Sequence, residues 1–261
     1  MSKNEIDNKR VTSEFFESNG VKIHYETFGQ GKPIILIHAW ASNLNSNWLN
    51  TNWVDILTPI RNVIALDYRG HGQSDKPHDQ GAYSFKIMAQ DVLNLMDHLN
   101  IDKADIFGYS MGATIVIYLL AHHKGRIRSA ILGGAGSNPT DRPRRIAHAL
   151  MAEDPSQITD PLMKLVRSYV ELDPNNDLEA LALIQFVIEP TFHQVGGVGL
   201  ADVDIPVLIV NGEKDDMREH VDELAATIPG AKLILIKNCD HISLLSSERF
   251  KKEVLSFLEK K

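Results

Sequence analysis

The stretch DIFGYSMGATIVIYLLA, residues 105–121, decides how the rest of the chain is read. It opens as a short apolar run of strand type and closes as a segment apolar nearly all round, as a helix buried at the centre of a domain would be. At the junction lies Gly108-Tyr109-Ser110-Met111-Gly112, a G-x-S-x-G pentapeptide between strand and helix. Such a sharp turn strains the serine backbone and pushes its Oγ out at the top of the sheet. Side chains two residues either way would collide in it, so both positions are glycine. The helix start adds unbonded N–H groups and a positive dipole end beside the hydroxyl. The pattern marks Ser110 as a nucleophile; the plain alternative is a tight turn of a nucleotide-binding sheet.

Similar apolar runs recur on either side: IILIH (34–38), VIALD (63–67), RSAILG (128–133), PVLIV (206–210) and KLILI (232–236). Continuous runs of this length read as strands buried on both faces. Between them, Met88, Val92, Leu95, Met96 and Leu99 recur from Phe85 with helical period, and Phe250, Val254, Phe257 and Leu258 mark a closing helix. Gly125 sits where the central helix should stop. Near the start, EFFES and VKIHYETF flank Asn19-Gly20, a strong signal for a type I′ hairpin. The chain is therefore expected to be α/β: a mostly parallel, twisted sheet with helices on both faces, led by an antiparallel hairpin. Residues 137–203 break the rhythm, with no strand and with Pro139, Pro143, Pro155, Pro161, Pro174 and Pro190. A parallel crossover needs only a dozen or so residues. The excess is read as a helical cap inserted before the last two strands, on a core of residues 1–136 and 204–261, setting substrate choice while the core does the chemistry.

Bulk properties narrow the function. The chain has 261 residues, 43% of them hydrophobic, with a net charge of −7, so no basic field is available for nucleic acid or an anionic membrane. Cys239 is the single cysteine, which excludes an intrachain disulfide or a CxxC pair. No run approaches 18 apolar residues, and MSKNEIDNKR at the start lacks the apolar stretch of a signal peptide. The expected location is the cytosol.

A nucleophilic serine needs a base, and the base an orienting acid. His193 falls in the cap, before any acid loop. His220 lies in a helix-like stretch, REHVDELAATI, as a solvated position. His241 follows KLILI directly, in the loop KNCDH, and can reach back over the sheet's carboxyl edge; it is read as the base. The loop after PVLIV, NGEKDDM, offers Glu213, Asp215 and Asp216 as acids, with spacing favouring Asp215. Asp67-Tyr68-Arg69-Gly70-His71-Gly72-Gln73-Ser74-Asp75 places acid, base and hydroxyl side by side. Gly133-Gly134-Ala135-Gly136 lacks nucleotide-loop spacing and reads as a strand-end loop facing the pocket. Gly196-Gly197-Val198-Gly199 reads as a flexible return from the cap. Arg142, Arg144 and Arg145 read as a solvated helix face, and His122 and His123 as partners of a helix C-terminus, with no metal assigned.

Four motifs in order, IHAW (37–40), LDYRGHGQSD (66–75), GYSMG (108–112) and the paired NGEKD (211–215) and DHIS (240–243), resemble the α/β-hydrolase superfamily, in particular its capped esterases and cofactor-free haloperoxidase-like members. The resemblance spans nearly the whole chain except the cap. It implies Ser110 as nucleophile, Asp215 as acid, His241 as base and an oxyanion hole from the backbone N–H groups of Trp40 and Met111. In families resembling this chain, the stretch at 67–75 is scaffold fixing the loop after the strand. The expected activity is carboxylic ester hydrolysis of a small to medium substrate, with no cofactor and no metal. Perhydrolysis, cleavage of a thioester, lactone or C–C bond, and a ligand receptor on the same fold are the alternatives. The sequence departs from the family at Ala39, where His-Gly is usual and glycine would let the oxyanion loop bend freely. His38 is expected to hold that loop rather than to react.

Overall fold

The computed structural model describes residues 10–136, 141–187, 195 and 197–260. Residues 1–9, 137–140, 188–194 (with His193), 196 and 261 lie outside the described residues.

Eight strands form one sheet: β1 (Arg10–Ser18), β2 (Val21–Phe28), β3 (Pro33–Ile37), β4 (Asn62–Asp67), β5 (Ala104–Tyr109), β6 (Ile127–Gly133), β7 (Val207–Gly212) and β8 (Lys232–Ile236). Their order is β1-β2-β4-β3-β5-β6-β7-β8. β1 and β2 pair antiparallel, as do β2 and β4; every later pair is parallel. Asn19 and Gly20 connect β1 to β2 with φ of 53° and 79°, the positive values a type I′ turn requires.

Side chains alternate across the sheet. Ile35, Ile37 and Ile106 enter a core on one face, covered by α2 (Phe85–His98) and α3 (Met111–His123). Ile34, Leu36 and Phe107 enter a core on the other face, under α1 (Trp53–Leu57) and α8 (Glu248–Glu259). Because both faces are covered, the strands have no polar alternation, which is why they appear in sequence as unbroken apolar runs. In the second core Trp48 and Trp53, both fully buried, lie with ring centroids 4.8 Å from Phe107. Strand β8 departs from the expectation of two buried faces. It is the outer strand, with a neighbour on one side only; Lys232 and Leu235 are exposed and only Ile236 is buried. The central helix does stop at Gly125, α3 ending at His123, but a 3₁₀ turn at Lys124–Arg126 closes it instead of a left-handed glycine.

Between β6 and β7 the described residues contain no strand. They hold α4 (Arg142–Met151), α5 (Pro161–Glu171), α6 (Leu178–Val187) and a 3₁₀ turn at Gly197–Asp202. The three helices share a further apolar cluster, including Ile146, Leu150, Met163, Val170 and Leu181, which also takes in Ala41 of the loop after β3. Residues 197–199 are not a loose return, since a side chain at Gly199 would strike the Ala121 carbonyl of α3. After β7 comes α7 (Val221–Thr227). Among the described residues no helix is long and apolar enough to cross a membrane.

Candidate active site

Parallel strands end together, so the loops after β3, β5, β6, β7 and β8 gather at one edge of the sheet. Ser110 occupies the turn between β5 and α3, with φ 53° and ψ −117°, a conformation rarely adopted by a residue with a side chain. Its N–H donates to the Gly133 carbonyl at 2.8 Å, and its own carbonyl accepts from Ala113 at 2.8 Å. The flanking glycines have the steric role the motif implies. A Cβ at Gly108 would overlap the Gly112 carbonyl, and a Cβ at Gly112 would overlap the Ile37 carbonyl. The turn is thus wedged against the end of β3, bringing the loop after β3 alongside the serine.

Ser110 Oγ lies 2.9 Å from His241 Nε2, and His241 Nδ1 lies 2.8 Å from Asp215 Oδ2. Both distances suit proton transfer and orientation of an imidazole. Of the three carboxylates the sequence left open, only Asp215 meets the histidine. It is buried, while Glu213 is exposed and Asp216 turns outward to Arg142 at 3.5 Å. Asp215 Oδ1 also accepts the Met217 N–H at 2.9 Å, fixing the carboxylate's rotation. His220 stands apart at the left-handed N-cap of α7, exposed, with Nδ1 3.2 Å from Glu223; it precedes the helix instead of lying within it.

The loops carrying acid and histidine are zipped together. Lys214 N–H donates to the Cys239 carbonyl at 2.9 Å, and a Cβ at Gly212 would strike that same carbonyl. Gly134, with φ 60°, leaves the space occupied by the His241 ring: a Cβ there would lie 3.0 Å from Cε1. Within Gly133–Gly136 it is Gly134 that faces the histidine, while a Cβ at Gly133 would meet Phe250 and Tyr109, and one at Gly136 the Met217 carbonyl. Sequence reasoning missed Tyr109. Its hydroxyl donates to the His241 carbonyl at 2.5 Å, and burial pushes the phenol well above its ordinary pKa, so it stays a donor. Nothing in the pentapeptide singles out the residue before the serine for that contact.

The loop after β3 is shaped from below by buried side chains. Asn47 Oδ1 accepts the Ala39 N–H at 3.1 Å, His71 Nε2 accepts that of Ala41 at 3.0 Å, and Asp67 Oδ1 accepts that of Leu44 at 2.7 Å. The acid–base–hydroxyl stretch is thus scaffold, as expected. Gly72 is held so close to the Asp67 carboxylate that a Cβ would overlap it, and Asp67 is further bonded to His24 at 2.9 Å. Because His71 Nε2 accepts, its proton sits on Nδ1, facing the Arg69 carbonyl at 3.2 Å. Burial holds the His71 pKa well below its ordinary value, consistent with that neutral form. His38 is also buried, its Nδ1 2.7 Å from the Ala39 carbonyl; burial lowers its pKa to about 4, against the opposing pull of Asp67. Alanine at position 39 costs no left-handed strain, because the loop's left-handed residue is Ala41, φ 53°. Trp40 follows, half-buried, and Met111 is the buried first residue of α3.

A family model described as alpha/beta hydrolase fold matches residues 32–162, half of the chain, and includes the strand-turn-helix at Ser110. The chain belongs to the α/β-hydrolase family. It is an enzyme of the hydrolase family. This α/β-hydrolase is 28% identical to the non-heme chloroperoxidase CPO-A1 of Kitasatospora aureofaciens over 93% of its own length and 98% of the relative's. It is 26% identical to the 2-hydroxymuconate semialdehyde hydrolase of Pseudomonas sp. (strain CF600), over 92% and 91% of the two chains. Among solved structures, the enol-lactonase from Burkholderia xenovorans LB400 superposes with a TM-score of 0.79 at 25% identity, covering 94% of this chain and all of that one.

Proposed function

We propose that this hydrolase cleaves a small to medium carboxylic ester through an acyl-enzyme on Ser110. The observation that carries the reading is the continuous line Ser110 Oγ, His241, Asp215, with hydrogen-bond distances of 2.9 and 2.8 Å. His241 Nε2 takes the hydroxyl proton as Oγ attacks the ester carbonyl. Asp215, acceptor-only when ionised, keeps Nδ1 protonated and stabilises the imidazolium that forms. The imidazolium then protonates the leaving alcohol, and the neutral ring activates water to release the acid. For the tetrahedral oxyanion we assign the N–H groups of Trp40 and Met111. Two features support them. Met111 heads a helix, where N–H groups lack helical acceptors. And Ala39, Ala41 and Leu44 have their N–H groups taken by side chains, while among the described residues that of Trp40 has no protein acceptor.

The helices at 142–187, with the segments that join them to the sheet, are proposed as a cap of residues 137–203 on a core of 1–136 and 204–261. The Leu, Ile, Phe and Met residues of the segment favour an apolar acyl or alkyl group, a small-molecule substrate met in the cytosol. A second reading, hydrogen peroxide replacing water on the same acyl-enzyme, draws on the near-full-length identity to a chloroperoxidase. A fluorophosphonate probe tests the shared step. It should add one label per chain at Ser110, and Ser110→Ala should lose both label and turnover of 4-nitrophenyl esters. Undiminished labelling of that variant would overturn the assignment. Peracid formation from acetate and peroxide, measured beside ester hydrolysis, separates the two readings.

A further inference from the structure

The loop that carries Trp40 is held from two sides. Below, Asn47, His71 and Asp67 bind the N–H groups of Ala39, Ala41 and Leu44, and these side chains belong to the sheet and its loops. Above, the contacts come from the helical insertion. Trp40 Nε1 donates to the Leu181 carbonyl, inside α6, at 3.2 Å. Asn43 Nδ2 donates to Asp173 Oδ2, in the turn between α5 and α6, at 3.0 Å. Ala41, between those two residues, is buried in the apolar cluster of Ile146, Leu150 and Leu181, against which the Trp40 ring also packs. Two hydrogen bonds and the packing of Trp40 and Ala41 thus grip three of the four residues 40–43 from the helical insertion.

We propose that the insertion positions the oxyanion donor: Trp40 is a positioning residue whose indole ties its own backbone N–H to α6, so that docking of the cap completes the oxyanion hole. This rests on the ester-cleavage reading above and deepens it. It also changes the expected division of labour, because a cap that merely selected substrates would not need to bond the loop beside the nucleophile. The physical reason is leverage. A carbonyl inside a helix moves with the whole helix, so a displacement of α6 pulls on the loop through the indole. A misplacement of about 1 Å at a reacting centre can cost on the order of 100-fold in rate.

The experiment compares kcat, KM and two inhibitors in the full-length enzyme. Trp40→Phe keeps an aromatic ring but removes the Nε1–H. The expected result is a fall in kcat of about 10- to 100-fold, with KM changing less than about threefold. A boronic acid, whose tetrahedral adduct on Ser110 places an oxygen in the oxyanion hole, should lose affinity by the same factor. The product alcohol, which makes no such adduct, should bind as before. An independent pair guards against a packing defect. Asn43→Asp sets a carboxylate against Asp173 and should lower kcat; adding Asp173→Asn restores the hydrogen bond with donor and acceptor exchanged, and should recover most of the loss. If Ser110 still takes the fluorophosphonate label while Trp40→Phe keeps kcat and boronate affinity within twofold, the coupling is wrong. Failure of the exchange pair to recover activity would overturn it equally. If Ser110 takes no label in the unaltered enzyme, the ester-cleavage reading falls first, and the coupling with it.

Discussion

Asp215 and Asp216 are chemically identical neighbours whose surroundings separate them. Asp215 is buried with one oxygen on His241 and the other on a backbone N–H; Asp216 is exposed on the far side of the loop, against Arg142. Asp215→Asn would keep the shape and remove the charge that stabilises the imidazolium. Its kcat on a chromogenic short-chain ester should fall by up to ~10⁴-fold, while Asp216→Asn should cost less than about 10-fold. Circular dichroism on both variants checks that they fold, and a reversed ranking would move the acid. Tyr109 offers a second test. Tyr109→Phe removes the hydroxyl that holds the His241 carbonyl, at little change in volume. The loop should lose register, lowering kcat by about 10-fold with KM nearly unchanged, which steady-state kinetics on the same ester would register.

At the level of elements, what the sequence revealed followed from local rules. The hairpin was legible from Asn19-Gly20, the buried strands from unbroken apolar runs, and the serine turn from glycines at fixed spacing. Ser110 and His241 could be singled out because each lies in a loop after a strand, and strand ends fix where side chains gather. The acid could not be settled by spacing alone, because two adjacent carboxylates differ only in which way a turning loop points them. The side-chain contacts of Tyr109 and Trp40 were opaque for another reason: their partners lie 132 and 141 residues away in sequence. The outer position of β8 was hidden because its composition matches that of the inner strands. The turn itself gives a stability test. Gly112→Ala would force a methyl group into the Ile37 carbonyl, which belongs to backbone in the sheet and cannot swing aside. The cost should be about 1–3 kcal/mol or more, read as a lowered urea midpoint, whereas Gly125→Ala, with open space around it, should leave the midpoint nearly unchanged.

Across the whole molecule, buried ionisable groups set the response to acid. His38 and His71 are held neutral by burial, with folded pKa values below the ordinary 6.5. An unfolded chain takes up protons near 6.5 that the folded chain refuses. Their stabilising contribution is therefore complete above pH 6.5 and shrinks on acidification, for His38 until about pH 4. Asp105 adds to the trend lower down. Burial would raise its carboxyl, but hydrogen bonds from Arg128, Ser129 and Arg61 outweigh that and hold it below the ordinary 3.8. Its contribution is present above 3.8 and is lost as pH falls through the depressed value. Exposed His78 works in the opposite sense. Its bonds to Asp177, at 2.9 Å, and Glu179, at 3.0 Å, raise its pKa, so it stabilises below 6.5 and fades as pH rises, weakly because solvent screens it. The thermal midpoint should hold steady from pH 8 to 7 and fall continuously from 6.5 to 4. A flat profile across that interval would show that the buried histidines titrate normally.

The three tryptophans are distributed so that the protein carries its own optical gauge. Trp48 and Trp53 are sealed among phenylalanines, away from water, and their emission should be blue-shifted and indifferent to a dissolved quencher. Trp40 is half-buried, with its indole N–H bonded to α6. Any change in fluorescence accessible to iodide therefore reports on the seam between the helical insertion and the sheet. Lifting α6 should send that single component to the red, making the opening of this seam visible in the native chain, without an attached dye.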